Sequence, residues 1–439
     1  MVQNLETEVP VTIPAMKLSA YQNKKVRRVS AVILAAAVTG LLSALVADTL
    51  KVITEHYEEL FLESIVHNKA LILVLPFAGL AMIYVLRRFL FRNKTNKGIK
   101  EVMDTINKDA HMLPAYKIPS HYFNGFLTVI FGGSTGIEVS TVVSTAAIGA
   151  LSSRKAGFLK KYRTDLICAG LAAGLTALFN APFAGFLFAY EVFTKRRSKL
   201  HHVSVATAIL TAWLLTHFWF YKPLFDFKIS GWQLKAIPYM LLLAVLAGFS
   251  AAYLTKCVLL GKKLFASIQH DMLRIVLGSL VISTLIFLFP SLYGEGYSGI
   301  KHALAAAPQS SLAFLLPLLI VLLLKPVATS VTLGAGGDGG VFAPSLFIGA
   351  FLGLLVCNAL NHYFGLGLIP VNFVVIGMAA VLSGSIHAPF TAIFLACAIS
   401  ESYVLFVPIV VACLVARWVA ARLLPYSVYT YQPGLNISK

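Results

Sequence analysis

The stretch AGLAAGLTALFNAPF (residues 169–183) returns later in the chain as IGMAAVLSGSIHAPF (376–390), with identities at Gly170, Ala172, Ala173, Leu175, Ala181, Pro182 and Phe183. At nearly the same spacing, the glycine-rich GGSTGIE (132–138) faces GGDGGVF (336–342). The chain therefore reads as two related halves, roughly 30–200 and 201–430. Each carries a glycine-rich breaker, a short apolar helix and an Ala-Pro-Phe turn. Paired breakers at matching places in two halves point to a transporter's substrate site, built where helices are interrupted inside a membrane.

The composition agrees with that setting. Of 439 residues, 58% are hydrophobic and 12% charged, against about 25% charged in soluble domains. A soluble enzyme, a disordered tail and a nucleic-acid binder are excluded. Apolar runs lie near 31–47, 70–86, 203–219, 236–255, 275–290, 312–324 and 403–420, and several reach the roughly 17–25 residues that a spanning helix needs. Shorter pieces near 122–131, 141–151, 166–179, 182–193, 341–357, 371–382 and 389–399 are cut by Gly and Pro and are too short to span alone. Non-helical backbone at that depth survives only where protein buries it or where it lines a polar cavity.

The net charge of +18 is largely a topology signal. Lys17, Lys24, Lys25, Arg27 and Arg28 precede the first run, and further basic clusters occupy 87–100, 154–163 and 195–199. The positive-inside rule makes these cytoplasmic. Asp48, Glu55, Glu58, Glu59 and Glu63 follow the first run and are expected in an outer loop. No nucleic-acid partner is needed to explain the charge. About thirty polar residues precede the first run, so no cleavable signal peptide is read. Residues 1–29 are expected as a cytoplasmic segment and 431–439 as a tail. The five cysteines lie in apolar stretches without CxxC spacing, which predicts buried small side chains and neither a metal nor a cofactor.

A half-helix that begins inside the membrane presents unpaired backbone N–H groups and the positive end of its dipole, and together these attract an anion. Cation sites draw instead on helix C-termini or carboxylate rings, so the expected cargo is a small anion. Glu138 stands where the short helix after the first breaker should begin. A carboxylate there can occupy the anion's place, and protonation would release it, which makes Glu138 a gate candidate rather than a simple cap.

These motifs resemble the ClC chloride channel and chloride/proton antiporter family, in its bacterial form without cytoplasmic CBS domains. The resemblance covers about 30–430. It rests on GGDGGVFAPSLFIGA (336–350), which is similar to the family's GxFxP signature, and on NAPFAGFLF (180–188) and GMAAVLSGSIHAPF (377–390). It implies an all-α membrane protein of two inverted-repeat halves with tilted and interrupted helices. It also implies a homodimer in a bacterial inner membrane, moving chloride through each subunit. Carried over residue by residue, it implies an anion held by Gly136 and Ile137, by Lys97, Gly98 and Ile99, and by Gly340, Val341 and Phe342. Glu138 resembles the outer gating glutamate. Tyr426 resembles the tyrosine that closes the site from inside, with Tyr429 as a competing assignment. The chain ends soon after Tyr426, so appended nucleotide-binding domains are not expected.

The departures matter as much. Glu138 is followed by Val139-Ser140 rather than Gly-Pro. The family's GSGIP appears only as Asn96-Lys97-Gly98-Ile99-Lys100, so Lys97 replaces a serine; it either attracts anions at the inner mouth or snorkels to the surface. Val192 occupies the position of the inward proton-relay acid, with Glu191 one place earlier. The reading is therefore channel-like or weakly proton-coupled transport. An antiporter with another inner proton route, through Glu191 or water, and a fluoride-exporting relative remain as alternatives. His201 and His202 are expected on a solvated cytoplasmic edge, His387 as a cap or turn residue, and Asp338 as a cap or local partner. No HExxH, GxSxG or Cys/His cluster suggests an enzyme. A cation transporter would need several intramembrane carboxylates, where this reading finds essentially Glu138.

Overall fold

The computed structural model describes residues 15–92, 94, 96–108, 113–193, 198–307 and 312–431. Residues 1–14 of the N-terminal segment, residues 195–197 of the basic cluster and the tail from 432 lie outside the described residues. Sixteen α-helices follow one another among the described residues. The first half holds α1 (Ala15–His67), α2 (Leu71–Val85), α3 (Ile99–Lys108), α4 (Lys117–Ile130), α5 (Glu138–Ser152), α6 (Arg163–Phe179), α7 (Pro182–Phe188) and α8 (Lys199–Leu215). The second holds α9 (Ile237–Ala266), α10 (Asp271–Leu288), α11 (Tyr297–Ala306), α12 (Leu312–Ala335), α13 (Phe342–Phe364), α14 (Pro370–Ile386), α15 (Pro389–Ile399) and α16 (Phe406–Leu423). Eight helical segments, those of α1, α2, α8, α9, α10, α12, α13 and α16, are long and apolar enough to cross a membrane.

Two expectations about the spans are corrected. The acidic residues after position 47 do not form a loop, because α1 runs unbroken through them to His67 and is 53 residues long. No Gly or Pro interrupts residues 41–67, so nothing stops the helix. Its acids that face the protein are satisfied there: Thr216 Oγ1 donates to Asp48 Oδ2 at 2.8 Å, and the Glu295 N–H donates to Glu58 Oε1 at 3.1 Å. The second correction concerns 341–357, which from Phe342 on belongs to a continuous 23-residue helix, α13. Glycines that look like breakers in the sequence are packing points inside that helix.

The repeated motif has a clear local cause. α6 ends at Asn180 with φ of 50° and α14 ends at His387 with φ of 59°, both left-handed. Asn is among the few residues that visit this region readily. In each half a non-helical Ala and a Pro at the first helical position then start α7 or α15, as the missing Pro N–H allows. His387 is thus the turn residue expected. His201 is not on a solvated edge: it is fully buried, and its Nδ1 lies 2.7 Å from Asp165 Oδ1, tying the first turn of α8 to that of α6. His202 is half-buried, its ring stacked on Tyr190 at 5.3 Å.

The helix that follows each breaker packs backbone to backbone on its neighbour. A Cβ placed on Gly377 of α14 would collide with the Gly349 carbonyl of α13, and one on Gly349 with that of Gly377. Gly149 and Gly170 play the same part between α5 and α6. Small residues permit this close approach in membrane helix pairs. Gly377→Ala should therefore lower the thermal midpoint of the purified protein in detergent, at a cost of about 1–3 kcal/mol. Gly157→Ala, which meets nothing within 4 Å, serves as the control. Equal midpoints for the two variants would remove the close-packing argument.

Candidate functional site

The two glycine-rich breakers meet. Gly136 and Gly340 form an antiparallel bridge, and Thr135 Oγ1 donates to the Gly340 carbonyl at 2.7 Å. Just past each glycine a helix begins: α5 at Glu138 after Ile137, and α13 at Phe342 after Val341. Neither start has a side-chain cap. Unpaired N–H groups and two positive dipole ends therefore converge on one buried place. Ile137, Val341 and Phe342 are buried around it, and the Phe342 ring is packed edge-on against Phe188.

Glu138 fills that place. Its side chain is 2% exposed. Oε1 accepts a hydrogen bond from the Tyr297 hydroxyl at 3.0 Å. Oε2 has no hydrogen-bond partner and is folded back against Gly136 beside Ala343. A carboxylate set at two helix N-termini, with the backbone of Glu138 and Ala343 and the Tyr297 hydroxyl acting on it, is chemically a stand-in for the anion such termini attract.

From the other side, a cavity of about 700 Å³ reaches Gly340 and Val341. Lys97, Lys100, Lys256, Lys262 and Lys263 line it. Lys97 is exposed, so it stands at this mouth and not against the buried helix starts. Gly98 and Ile99 line the same wall, with Gly98 next to Val139. The two tyrosines separate clearly. Tyr429 is 7% exposed, and its hydroxyl lies by the backbone of Val341 and 3.7 Å from where a Cβ would stand on Gly340. Tyr426 is half-buried farther out, with its ring 5.0 Å from that of Tyr431.

Glu191 is taken up elsewhere. Its carboxylate accepts the N–H groups of Phe390 and Thr391 and the Thr391 hydroxyl, at 3.0, 2.6 and 2.6 Å, and so caps α15 across the repeat. Val192 is partly buried against the core. Asp338 is also committed. Its carboxylate bonds His121 Nδ1 and Asn96 Nδ2, and its own N–H donates to Thr128 Oγ1 at 2.9 Å.

Sequence reasoning missed a buried group on the outer approach. Glu58 and Glu295 are 8% and 4% exposed, and Lys325 is fully buried, so Glu138 is not the lone intramembrane carboxylate. Lys325 Nζ donates to the Gly294 carbonyl at 3.0 Å, and Glu295 Oε1 accepts the Ile137 N–H at 3.1 Å. The available signal was Gly294-Glu295-Gly296, a third acid-bearing breaker outside the repeat. Among the described residues, no group of three His, Cys, Asp or Glu is placed to hold a metal ion.

Comparison with known proteins gives the same picture. A family model described as voltage gated chloride channel matches residues 78–421. A ClcB-like protein of Ralstonia nicotianae is 30% identical over 349 residues, covering 77% of this chain and 78% of the relative. The voltage-gated ClC-type chloride channel ClcB of Shigella flexneri is 28% identical over 69% of this chain and 72% of its own length. Among solved structures, a CLC-type fluoride/proton antiporter superposes with a TM-score of 0.76 at 25% identity, over 91% of this chain and 97% of its own. A slow cyanobacterial chloride/proton antiporter shares the fold, with a TM-score of 0.79 at 21% identity over 91% and 96%.

The cap formed by Glu191 generates its own test. Glu191→Ala should cost about 1–2 kcal/mol of stability, as loss of a helix cap does, and should leave the ratio of proton to anion movement in vesicles unchanged. A changed ratio at full stability would return Glu191 to the proton route.

Proposed function

We infer the activity from one premise: the chain belongs to the voltage gated chloride channel family, and its centre is a small-anion pathway closed by Glu138. The observation that carries this is the pair of uncapped helix starts, α5 and α13, joined through Gly136 and Gly340 and occupied by the Glu138 carboxylate. Chloride or a similar anion enters from the lysine-lined vestibule, where the five ammonium groups raise its local concentration. It then competes with Glu138 for the same N–H groups. Protonation removes the competitor, and the neutral side chain swings away. The charged groups facing Glu138 in this scheme are Glu295, Glu58 and Lys325, with Tyr297 and Tyr429 as the neighbouring phenols.

Tyr429 is the better inner gate. Its hydroxyl is buried at Gly340, while Tyr426 packs on Tyr431. With valine at 192 and Glu191 used as a cap, the pathway is channel-like or weakly proton-coupled. A second reading, proton-coupled exchange with selectivity for fluoride, draws support from the likeness to a fluoride/proton antiporter and from lysine in place of the family's serine. The reading extends to a homodimer in a bacterial inner membrane.

The test is made in vesicles of phosphatidylcholine and phosphatidylglycerol, recording anion efflux and proton movement together. Chloride efflux that drives no protons supports the channel-like reading, and uphill proton movement supports exchange. Glu138→Gln, a mimic of the protonated gate, should keep anion flux and flatten its dependence on pH between about 5 and about 8. Flux in that variant with its pH dependence intact overturns the gating role. Tyr429→Ala should raise uncoupled flux while Tyr426→Ala does little, and the reverse result reassigns the inner gate.

A further inference from the structure

The outer approach to Glu138 is walled by acids that the anion pathway does not use. Glu58 of α1, Glu295 of the turn before α11 and Glu138 itself are all buried, and hydrogen bonds knit them together. Glu58 Oε1 accepts the Glu295 N–H, Glu295 Oε1 accepts the N–H of Ile137 immediately before the gate, and Tyr297 donates to Glu138 Oε1, each at 3.0–3.1 Å. One buried cation, Lys325 of α12, stands against them at Gly294 and over the Phe347 ring. Tyr293 is buried in the same turn, Tyr429 faces Glu138 from the inner side, and exposed Lys222 lines the cavity mouth. A cavity of about 60 Å³ is walled by Glu58, Glu295 and Tyr297 and opens past Glu55, Glu59 and Lys301. That is space for about two water molecules.

Charge balance gives this group its meaning. Three carboxylates against one ammonium leave two negative charges in a medium that penalises each of them. Neighbouring acids in that position bind and release protons as a set. The N-terminal dipole of α5 and the Ile137 N–H hold Glu295 close to the gate's own backbone. Tyr297, two residues along the same turn, touches the gate carboxyl directly. The arrangement thus joins three things: an aqueous mouth, a buried acid and a hydroxyl bonded to Glu138.

We propose that Glu295 is the proton donor and acceptor for the gate, loading Glu138 from the outer cavity through the Tyr297 hydroxyl. This rests on the reading of Glu138 as a gate that protonation opens. In the forward step the Glu295 carboxyl proton passes, through water of the cavity that Glu295 and Tyr297 both line, to the Tyr297 oxygen as the Tyr297 hydroxyl proton passes to Glu138 Oε1. The tyrosine is neutral before and after, Glu138 becomes a neutral acid, and Glu295 is left as a carboxylate until the cavity reprotonates it. The reverse sequence empties the gate.

The experiment compares wild type, Glu295→Gln, Glu295→Asp and Tyr297→Phe as full-length protein in the same vesicles, reading anion flux across pH. Loss of a positioned proton-transfer group typically costs tenfold or more. Glu295→Gln should therefore lower the proton-limited plateau of flux by about tenfold, Tyr297→Phe should do the same without changing any charge, and Glu295→Asp should restore much of it. Added to Glu138→Gln, Glu295→Gln should change nothing, because that gate no longer takes a proton. Three results overturn the relay: a pH profile that only slides along the axis with its plateau intact, wild-type rates in Tyr297→Phe, or equal slowing by Glu295→Gln in the Glu138→Gln background. If Glu138→Gln itself keeps full pH dependence, the gate reading fails first, and the relay with it.

Discussion

The contact on which the rest depends is the backbone bridge between Gly136 and Gly340. Each glycine ends an irregular stretch that could not stand in lipid on its own, since every unpaired amide there costs free energy. Brought together, the stretches partly satisfy one another, through the bridge itself and the Thr135 hydroxyl on the Gly340 carbonyl. What they leave over are the first N–H groups of α5 and α13, all pointing into one space. Side chains with a Cβ at these positions would destroy the meeting: at Gly136 it would strike Ala343 and at Gly340 it would strike Val139. The site is thus a direct product of two chain breaks that must share a partner.

The remaining architecture holds those breaks in register. α5 and α6 in one half, and α13 and α14 in the other, pack through glycine pairs that let backbones touch. The left-handed turns at Asn180 and His387 return the chain as α7 and α15. Glu191 then crosses from the first half to cap α15 of the second. This acid is therefore consumed in a structural bond, and hydrogen bonds to a charged group of about 1.5–3 kcal/mol each hold it there.

Much of this was legible in the sequence. The two breakers, the Ala-Pro-Phe turns and Glu138 at a helix start all follow from local rules about Gly, Pro and capping. The length of α1 was less legible, because acids that face protein look the same in a sequence as acids that face water. Asp48 and Glu58 read as a loop until Thr216 and Glu295 are seen beside them. The same holds for His201, whose burial depends on Asp165 in a different helix. Tyr426 and Tyr429 lie three residues apart, and only tertiary packing decides which hydroxyl reaches Gly340. Lys325 sits in an apolar run with nothing nearby to mark its carbonyl partners at 292 and 294.

The two breakers each contain an acid, yet the repeat does not make them equivalent. Glu138 stands at the first residue of α5, whereas Asp338 stands four residues before α13. Asp338 is bonded to His121 and Asn96 through its carboxylate and to Thr128 through its amide. Moving it would break several bonds, and bonds to charged groups carry about 1.5–3 kcal/mol each. Glu138 has a single bond from a side chain, that of Tyr297, beside the backbone at its own residue and Ala343. Its remaining support is the backbone at Glu138 and Ala343 and the two helix dipoles, which act on the charged form alone. Neutralising Asp338 would leave most of its anchors in place, while neutralising Glu138 removes the dipole attraction and weakens the few bonds it has, from the Tyr297 hydroxyl and the backbone at Glu138 and Ala343. That difference leaves Asp338 fixed in its breaker and Glu138 the less anchored of the two acids.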